Sequence, residues 1–437
     1  MDSSPQKPES VRHIALTYAH TDSQNSALQL IFALKPEWRE SQETIEFVRF
    51  TDGITNTLLK AINKLPGLSE RQVDRESVLL RAYGKGTDVL IDRERETLSH
   101  SLLARYGLAP PLLARFDNGL LYKFIEGSVC SPADLRQPEI WRGVARRLGE
   151  WHATLPISSI SSESPTNGSL ANGHVAGHAA GHSPTKSRSK RTASIEAIER
   201  LTPGKPMPNV WTVMQKWILA LPISTQGEKA RRDQLQKELE WLVKQFGNTP
   251  GVSSNPFVFA HCDLLSGNVI IEPPSSASSS HSSNSCDSEE TETPVNVSFI
   301  DYEYATAAPA AFDIANHFAE WGGFDCDFSV LPTRSQRRDF LKEYLLSYNS
   351  RLERSFKDAE CTALFDEVDR FRGMPGFYWG IWALIQAQIS QIEFDYASYA
   401  EVRLGEFWAW KAEVDGSREK LGADEKPLRE RRWAQEE

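Results

Sequence analysis

Short runs of apolar residues, separated by polar turns, dominate the first part of the chain. They are rich in β-branched and aromatic residues and are bounded by glycine, aspartate or asparagine, which is typical of strands. We predict strands over residues 46–51, 56–62, 77–84, 88–92, 112–116 and 120–127. One segment differs. Leu98, Leu102 and Leu103 share a helical stripe that Gly107 follows, so 93–106 is predicted to be a helix.

The later part of the chain follows a helical period instead. Ile140, Val144, Leu148 and Trp151 recur at spacings that place them on one helix face. Further helices are predicted over 210–221, 228–246, 308–321, 334–354 and 375–391. The pattern predicts an α+β fold with a small N-terminal antiparallel-sheet lobe and a larger, mainly helical C-terminal lobe. This arrangement is typical of two-lobed kinases.

Two long stretches interrupt the helical part and are too poor in apolar residues to offset the entropy of ordering. They cover about 157–208 and 273–294, are rich in serine, glycine, proline and charge, and are predicted to be disordered. The second separates two short apolar strands, as the tip of a hairpin would. The predicted domains are a disordered N-terminus (1–23), an N-lobe (24–127), a C-lobe (128–415) that contains both insertions, and a charged tail (416–437).

Composition and charge exclude several classes of function. The net charge of −10 comes with no basic half, which argues against nucleic acid and against attraction to anionic membranes. Five scattered cysteines without a CxxC pair argue against a disulfide framework or a zinc site. The polar N-terminus has no secretory signal, and no apolar run reaches the ~18 residues of a membrane span. We therefore expect a cytoplasmic protein.

The most informative segment lies at 257–274, where an apolar run leads into His261, Asp263 and Asn268. Phosphoryl transfer to an alcohol needs a carboxylate near the nucleophilic hydroxyl and oxygen ligands for Mg²⁺. A loop of the form HxDxxxxN supplies both. Asp263 would accept or orient the hydroxyl proton, Asn268 would bind metal, and His261 would hold the loop shape. Taken alone, the segment is also compatible with a turn that happens to contain Asp and Asn.

A second acidic segment follows at 297–321. An apolar strand ends at Asp301, which matches the second Mg²⁺-binding carboxylate of a kinase site, and Glu303 comes two residues later. The two segments together favour a kinase site over an ordinary turn. Asp313 lies in the helix that follows, and we interpret it as a carboxylate that binds the backbone or an arginine of the catalytic loop.

The N-terminal strands offer groups that could bind a nucleotide. The turn at 51–56 contains Gly53, Thr55 and Asn56 between two strands, where a kinase covers the ATP phosphates. With a single glycine it is a weak signal. Arg81 stands where protein kinases place their phosphate-pairing lysine, and Glu96 on the next helix is its best partner. A surface arginine on an edge strand is the alternative for Arg81.

Three stretches are similar to signature segments of the choline/ethanolamine kinase family: HCDLLSGNVI, FIDYEYATAAPAAFDIANHFAEW and ALIQAQISQIEFDYASYA. The resemblance runs from about residue 46 to 403, outside the two insertions, and implies the protein-kinase-like fold with ATP and Mg²⁺. It also implies roles for individual residues. Asp263 would be the base, Asn268 and Asp301 would hold Mg²⁺, and Arg81 with Glu96 would position the ATP phosphates.

The resemblance further implies an amine site, for which aromatic faces and a carboxylate are chemically suited. Its residues would be Glu320, Trp321, Trp379, Trp382 and Tyr399. For the tryptophans, ordinary core packing is the alternative. Asp325 stands where choline kinases tend to carry a tyrosine. This difference would remove one aromatic side chain from the amine site and add a hydrogen-bond acceptor. An acceptor favours ethanolamine, whose ammonium has N–H groups that choline lacks.

The sequence therefore predicts ethanolamine kinase activity, which yields ADP and phosphoethanolamine, the first step of phosphatidylethanolamine synthesis by the CDP-ethanolamine route. A choline or dual-specificity kinase is the main alternative. An aminoglycoside-type phosphotransferase would need a broad acidic pocket. A pseudokinase scaffold would lack one of Asp263, Asn268 and Asp301, and all three are present. A homodimer is compatible with the sequence.

Overall fold

The computed structural model describes residues 11–50, 56–84, 86–157, 204–274, 295–390, 392–420 and 425–437. Its N-terminal lobe is built on a six-stranded sheet in the order β1-β5-β6-β4-β3-β2. All neighbours are antiparallel except β1 and β5, which pair in parallel. The strands are β1 His13–Ile14, β2 Ile45–Phe50, β3 Asn56–Asn63, β4 Val78–Tyr83, β5 Leu112–Phe116 and β6 Gly119–Lys123.

Three helices accompany this sheet: α1 Ser23–Leu34, α2 Glu70–Glu76 and α3 Arg93–Arg105. Helix α1 was not predicted, and its Leu30 and Ile31 pack into the same apolar core as Leu59, Leu80 and the other inward residues of β3 and β4. Helix α3 begins where Asp92 accepts a hydrogen bond from the backbone N–H of Arg95, a standard N-cap.

Two expectations for the N-terminal part of the chain are wrong. Residues 11–22 are not disordered, because β1 pairs with β5 and both Ile14 and Tyr18 are buried. Residues 1–10 lie outside the described part of the chain. The predicted strand at 88–92 is instead a short 3₁₀ turn, Thr87–Val89, followed by Leu90 and Ile91, which pack into the C-lobe core. A short apolar run cannot by itself distinguish a strand from a buried loop.

The C-terminal lobe is mainly helical, as predicted. Its helices are α4 Pro138–Thr154, α5 Val210–Ala220, α6 Gln226–Phe246, α7 Ala310–Ala319, α8 Arg334–Arg351, α9 Asp358–Phe371, α10 Met374–Ile389, α11 Tyr396–Val414, α12 Ser417–Lys420 and α13 Leu428–Ala434. Its strands are β7 Ser128–Val129, β8 Val258–Ala260, β9 Val269–Ile271, β10 Val297–Phe299 and β11 Thr306–Ala308. The α+β prediction is confirmed.

The predicted hairpin is present. Strands β9 and β10 are antiparallel, with Val269 opposite Phe299 and Ile271 opposite Val297. Most of the two insertions, 158–203 and 275–294, lies outside the described residues. At the edge of the first, however, the backbone carbonyl of Pro208 accepts hydrogen bonds from Arg95 and Thr306, so this edge belongs to the folded lobe.

The C-terminal tail also belongs to the folded lobe, in contrast to its description as a separate charged segment. Trp433 of α13 is buried, its indole N–H donates to Asp369 at 2.7 Å, and Arg337 stacks on its ring at 4.0 Å. Arg429 and Glu430 of the same helix are buried as well. In the part of the chain that the structure describes, no helix is both long enough and apolar enough to cross a membrane.

Candidate active site

The loop between β8 and β9 carries the HxDxxxxN residues and is held from two sides. Asp313 of α7 accepts hydrogen bonds from the backbone N–H groups of His261 at 2.9 Å and Cys262 at 2.7 Å, and from the ring of His152 at 3.0 Å. The interpretation of Asp313 as a backbone-binding carboxylate is confirmed. The ring of His261 bonds the carbonyl of Ile300 at 3.0 Å, which ties the loop to the end of β10.

Asp263 and Asn268 face each other across this loop. The side-chain amide of Asn268 donates to the backbone carbonyl of Asp263 at 2.8 Å and to its carboxylate at 3.1 Å. Burial raises the pKa of Asp263 well above its ordinary value, and the neighbouring carboxylates of Asp301, Glu320 and Glu303 raise it further. The Asp263 carboxylate therefore lies in a desolvated environment with other negative charges nearby, where a general base of raised pKa can operate.

The β9–β10 hairpin brings Asp301 to the same place. The backbone N–H of Ile300 donates to the carbonyl of Asn268 at 3.0 Å. Asn268 and Asp301 therefore lie close together at the open end of the hairpin. Asp301 has a positive φ of 62°, a conformation that asparagine and aspartate tolerate better than most residues. Its carboxylate accepts a hydrogen bond from Arg81 at 2.7 Å.

Arg81 is the centre of an ion-pair cluster that joins the two lobes. Its guanidinium lies 3.5 Å from Glu96, 2.7 Å from Asp301 and 2.5 Å from Glu303, and its side chain is only 8% exposed. Burial alone would lower the pKa of Arg81, but the three carboxylates outweigh it and raise that pKa well above the ordinary value. Arg81 is thus a buried, permanently charged group and not a surface arginine.

Arg93 and Asn56 extend this cluster towards the strand β3. Arg93 lies 2.9 Å from Glu96 and 3.3 Å from Glu303, and Asn56 donates to Glu303 at 3.0 Å. The first residue of β3 is therefore anchored to the C-lobe. Gly53 and Thr55, the other predicted phosphate-binding residues, lie outside the described residues.

A cavity of about 480 Å³ lies between the lobes, and several of these groups line it. Its polar side contains Asn56, Arg81, Asp263, Asn268, Asp301 and Glu303. Its aromatic side contains Tyr304, Phe324, Trp379, Trp382 and Tyr399, with Glu320 beside them. Charged and aromatic side chains thus line the same cavity.

The two tryptophans of α10 are fixed by hydrogen bonds. Trp379 donates to the side chain of Asn316 and Trp382 donates to the hydroxyl of Tyr304, both at 2.8 Å. Their rings are nearly perpendicular, at 89°, with centroids 5.4 Å apart. Because both N–H groups bond inward to protein partners, what these tryptophans contribute to the cavity is ring surface, which suits a cationic ligand.

Glu320 is the acidic group beside the aromatic rings. It is buried, and its carboxylate accepts a hydrogen bond from Arg403 at 3.0 Å. Burial raises the pKa of Glu320, while the guanidinium of Arg403 opposes that effect. The arginine therefore favours the ionised form of Glu320, which is the form that attracts an ammonium group.

Two predicted substrate residues are not on the cavity wall. Trp321 is buried behind it, where its indole N–H donates to His317 at 3.3 Å. Asp325 is exposed and does not line the cavity, whereas its neighbour Phe324 does. The turn Glu320–Gly322 and the positive φ of Gly323 set which of these side chains points inward.

Sequence reasoning also left out Arg93, Tyr304 and Phe324. Tyr304 lies within a stretch already singled out, three residues after Asp301, so its position close to the site could have been inferred. Arg93 had no comparable signal, since its partners come from β3, α3 and the segment after β10.

The donor set fits Mg²⁺ bound together with phosphate. Among the described residues, no group of three or more histidine, cysteine, aspartate and glutamate side chains forms a ready-made metal site. Mg²⁺ commonly takes one or two carboxylates and completes its shell with substrate phosphates and water. Asn268 and Asp301 could supply two such oxygens. Four acidic side chains line the cavity (Asp263, Asp301, Glu303 and Glu320), so added positive charge would be stabilised there.

Residues 47–408 match a family model described as choline/ethanolamine kinase. The chain is 31% identical to human ethanolamine kinase 1 over 405 residues, which covers 89% of this chain and 72% of that protein. It is structurally similar to an ethanolamine kinase of Plasmodium vivax, with a TM-score of 0.59, 21% identity and 90% of each chain covered. A choline kinase of Cryptosporidium parvum gives a TM-score of 0.57 at 19% identity, covering 92% of this chain and 99% of the other. These two structures support the predicted kinase-like fold.

Proposed function

Because this chain belongs to the choline/ethanolamine kinase family, we propose that it transfers the γ-phosphoryl group of ATP to the hydroxyl of ethanolamine. The observation that carries the proposal is the single cavity in which Asp263, Asn268 and Asp301 lie with an aromatic, acidic subsite. One region has the groups that phosphoryl transfer needs, and the other has the groups that an organic ammonium needs.

In this proposal Asp263 accepts or orients the proton of the substrate hydroxyl. Its raised pKa makes it a better proton acceptor than an ordinary aspartate. The hydrogen bond from Asn268 fixes the carboxylate, and the backbone anchors on Asp313 hold the loop that carries it. The protein's main contribution is to place the hydroxyl in line with the γ-phosphate.

Arg81, held by Glu96, is proposed to bind the ATP phosphates together with Asn56, and Gly53 and Thr55 stay predicted phosphate-binding residues. The buried guanidinium gives a fixed positive charge and a rigid set of donors for phosphate oxygens. Asn268 and Asp301 would hold Mg²⁺. When bound, that ion neutralises charge on the phosphates during transfer.

The amine end of the substrate is proposed to rest against Glu320, Trp379, Trp382 and Tyr399. Phe324 completes the aromatic wall in place of the predicted Asp325 and Trp321. In ethanolamine the amine and the hydroxyl are only a few bonds apart. This short separation fits a cavity that contains both the phosphoryl-transfer groups and the aromatic groups. The products would be ADP and phosphoethanolamine, which would enter the CDP-ethanolamine route.

Choline remains the second candidate because of one observation. The aromatic side chains Tyr304, Phe324, Trp379, Trp382 and Tyr399 line the cavity, and aromatic faces can bind a trimethylammonium without N–H donors. Glu320 favours ethanolamine, since a buried carboxylate can accept an N–H bond that choline cannot offer. The homodimer and the cytoplasmic location stay predictions.

The test is a comparison of kcat/KM for ethanolamine and choline with purified protein and MgATP. We expect the higher value for ethanolamine and loss of turnover in Asp263→Ala with ATP binding retained. Asp366→Ala is the matched control, since Asp366 is an exposed aspartate on α9. No turnover of either amine by the wild type, or normal turnover by Asp263→Ala, would contradict the proposal.

A further inference from the structure

A line of buried charged side chains connects the C-terminal helix to the amine subsite. It runs from Glu320 to Arg403 at 3.0 Å, from Arg403 to Glu406 at 3.5 Å, and from Glu406 to Arg429 at 3.2 Å. Arg429 lies on α13, in the segment that sequence analysis left without a role. We call these four residues, Glu320, Arg403, Glu406 and Arg429, the charge chain.

The charge chain is shielded from water along its whole length. Its residues are exposed by 6%, 1%, 4% and 2% in that order. Acidic and basic groups alternate, so each interior member shares its charge between two neighbours. In such an environment, removing one partner leaves an uncompensated charge that the remaining groups must redistribute.

The C-terminal helix also holds the two helices that carry the aromatic wall. Arg429 donates to the backbone carbonyl of Arg372, and Arg372 is paired with Glu430 at 2.8 Å. Arg372 precedes α10, which bears Trp379 and Trp382. Glu406 and Arg403 lie on α11, which bears Tyr399, and the Arg403 guanidinium lies 5.8 Å from the Tyr399 ring.

We propose that Arg429 is a positioning residue for amine binding, acting through Glu406 and Arg403 on the orientation and charge of Glu320. The inference rests on the proposed function, because it deepens the account of the same amine subsite. Without Arg429, Arg403 is the one cationic partner that Glu406 keeps among the described residues, so Glu406 draws it away from Glu320. Glu320 then loses the group that favours its ionised form and fixes its position.

The consequence is a selective loss of amine affinity. The nucleotide-binding cluster around Arg81 shares no residue with the charge chain, so ATP binding should be spared. Substitutions in such coupled networks change binding by roughly 2–30-fold. We expect Arg429→Met to raise KM for ethanolamine by about tenfold and to change KM for ATP by less than about twofold.

The experiment compares Arg429→Met with Arg431→Met in the full-length protein. Arg431 lies on the same helix, but its side chain is about half exposed. The control should therefore retain wild-type KM values for both substrates. Arg429→Lys keeps the charge without the guanidinium fork and should give an intermediate KM for ethanolamine. If Arg429→Met does not fold, Arg429→Lys carries the same comparison.

A double-mutant cycle with Glu320→Gln separates positioning from general stability. If Arg429 acts through Glu320, Arg429→Met should add little to KM for ethanolamine in the Glu320→Gln background. An unchanged KM for ethanolamine in folded Arg429→Met would overturn the inference, as would an equal rise in both KM values. Absence of ethanolamine turnover in the wild type is a different result, which refutes the proposed function itself.

Discussion

Arg81 offers the sharpest test of how this site is held together, through the pair of variants Arg81→Met and Arg81→Lys. The guanidinium faces Glu96 and Glu303, whose side chains are each 2% exposed, and Asp301, which is 31% exposed. Arg81→Met removes the positive charge that these three carboxylates face. Removing one partner of a buried ion pair typically costs about 3–5 kcal/mol of unfolding free energy, and we expect the lower part of that range because Arg93 still faces Glu96 and Glu303. Arg81→Lys keeps the charge but cannot span all three partners, so we expect a loss of about 1–2 kcal/mol.

The effect on activity follows from the same contacts. The two short bonds, to Asp301 and Glu303, are each charge-assisted, and one such bond contributes about 1.5–3 kcal/mol. Loss of one in Arg81→Lys should lower kcat/KM for MgATP by about 10–100-fold, and loss of both in Arg81→Met by about 1,000-fold or more.

Urea unfolding followed by tryptophan fluorescence measures stability, and steady-state kinetics at varied MgATP measures activity. The control is Arg146→Met, because the side chain of Arg146 is half exposed and its ion pair with Glu343 should contribute at most about 1 kcal/mol. If Arg81→Lys destabilises the protein as much as Arg81→Met, the buried charge is not what holds the lobes. If Arg146→Met matches either of them, burial does not distinguish the pairs.

Three further predictions follow from the site. Asp263→Asn should lower kcat by about 10²–10⁴-fold, which a steady-state assay measures. The same variant should raise Tm at neutral pH, because a folded-state pKa above the unfolded value means that Asp263 costs stability as pH rises above the unfolded pKa; this gain should shrink as pH falls towards the unfolded pKa and be absent below it. Phe324→Ala should raise KM for choline about 5–20-fold, whereas Asp325→Ala should change it less than about twofold, and similar values for both would place Asp325 in the subsite. Asp313→Ala should lower the unfolding free energy by about 3 kcal/mol and reduce kcat, since three donors lose their acceptor; an unchanged urea midpoint would show that the loop is held otherwise.

The parts of the site that sequence reasoning located are those encoded over short distances. Asp263 and Asn268 lie within one loop, and Asp301 reaches them through a hairpin whose two strands were recognisable from their apolar residues. Local patterns of this kind determine both the element and the position of the side chain. The structure adds the contacts, but their roles in catalysis stay predictions.

The parts that sequence reasoning missed depend on long-range packing. Arg429 of α13 pairs with Glu406 in the middle of α11, and no periodic pattern in the sequence predicts a buried ion pair of that kind. Phe324 and Asp325 are adjacent, and which of them faces the cavity depends on the conformation of a glycine turn that composition does not specify. The first helix was missed although Pro36 follows two residues after its end, and its apolar face became evident only from the packing of Leu30 and Ile31 on the sheet.

The β9–β10 hairpin allows the segment that joins its two strands to vary in length. Asn268 and Asp301 meet at the open end of the hairpin, and the pairing from Val269 to Ile271 with Val297 to Phe299 already fixes their separation. Whatever joins the strands at the far end closes a loop whose entropic cost grows only with the logarithm of its length. The length and sequence of residues 275–294 can therefore change in evolution without moving Asn268 or Asp301, and an experimenter could insert a reporter there for the same reason.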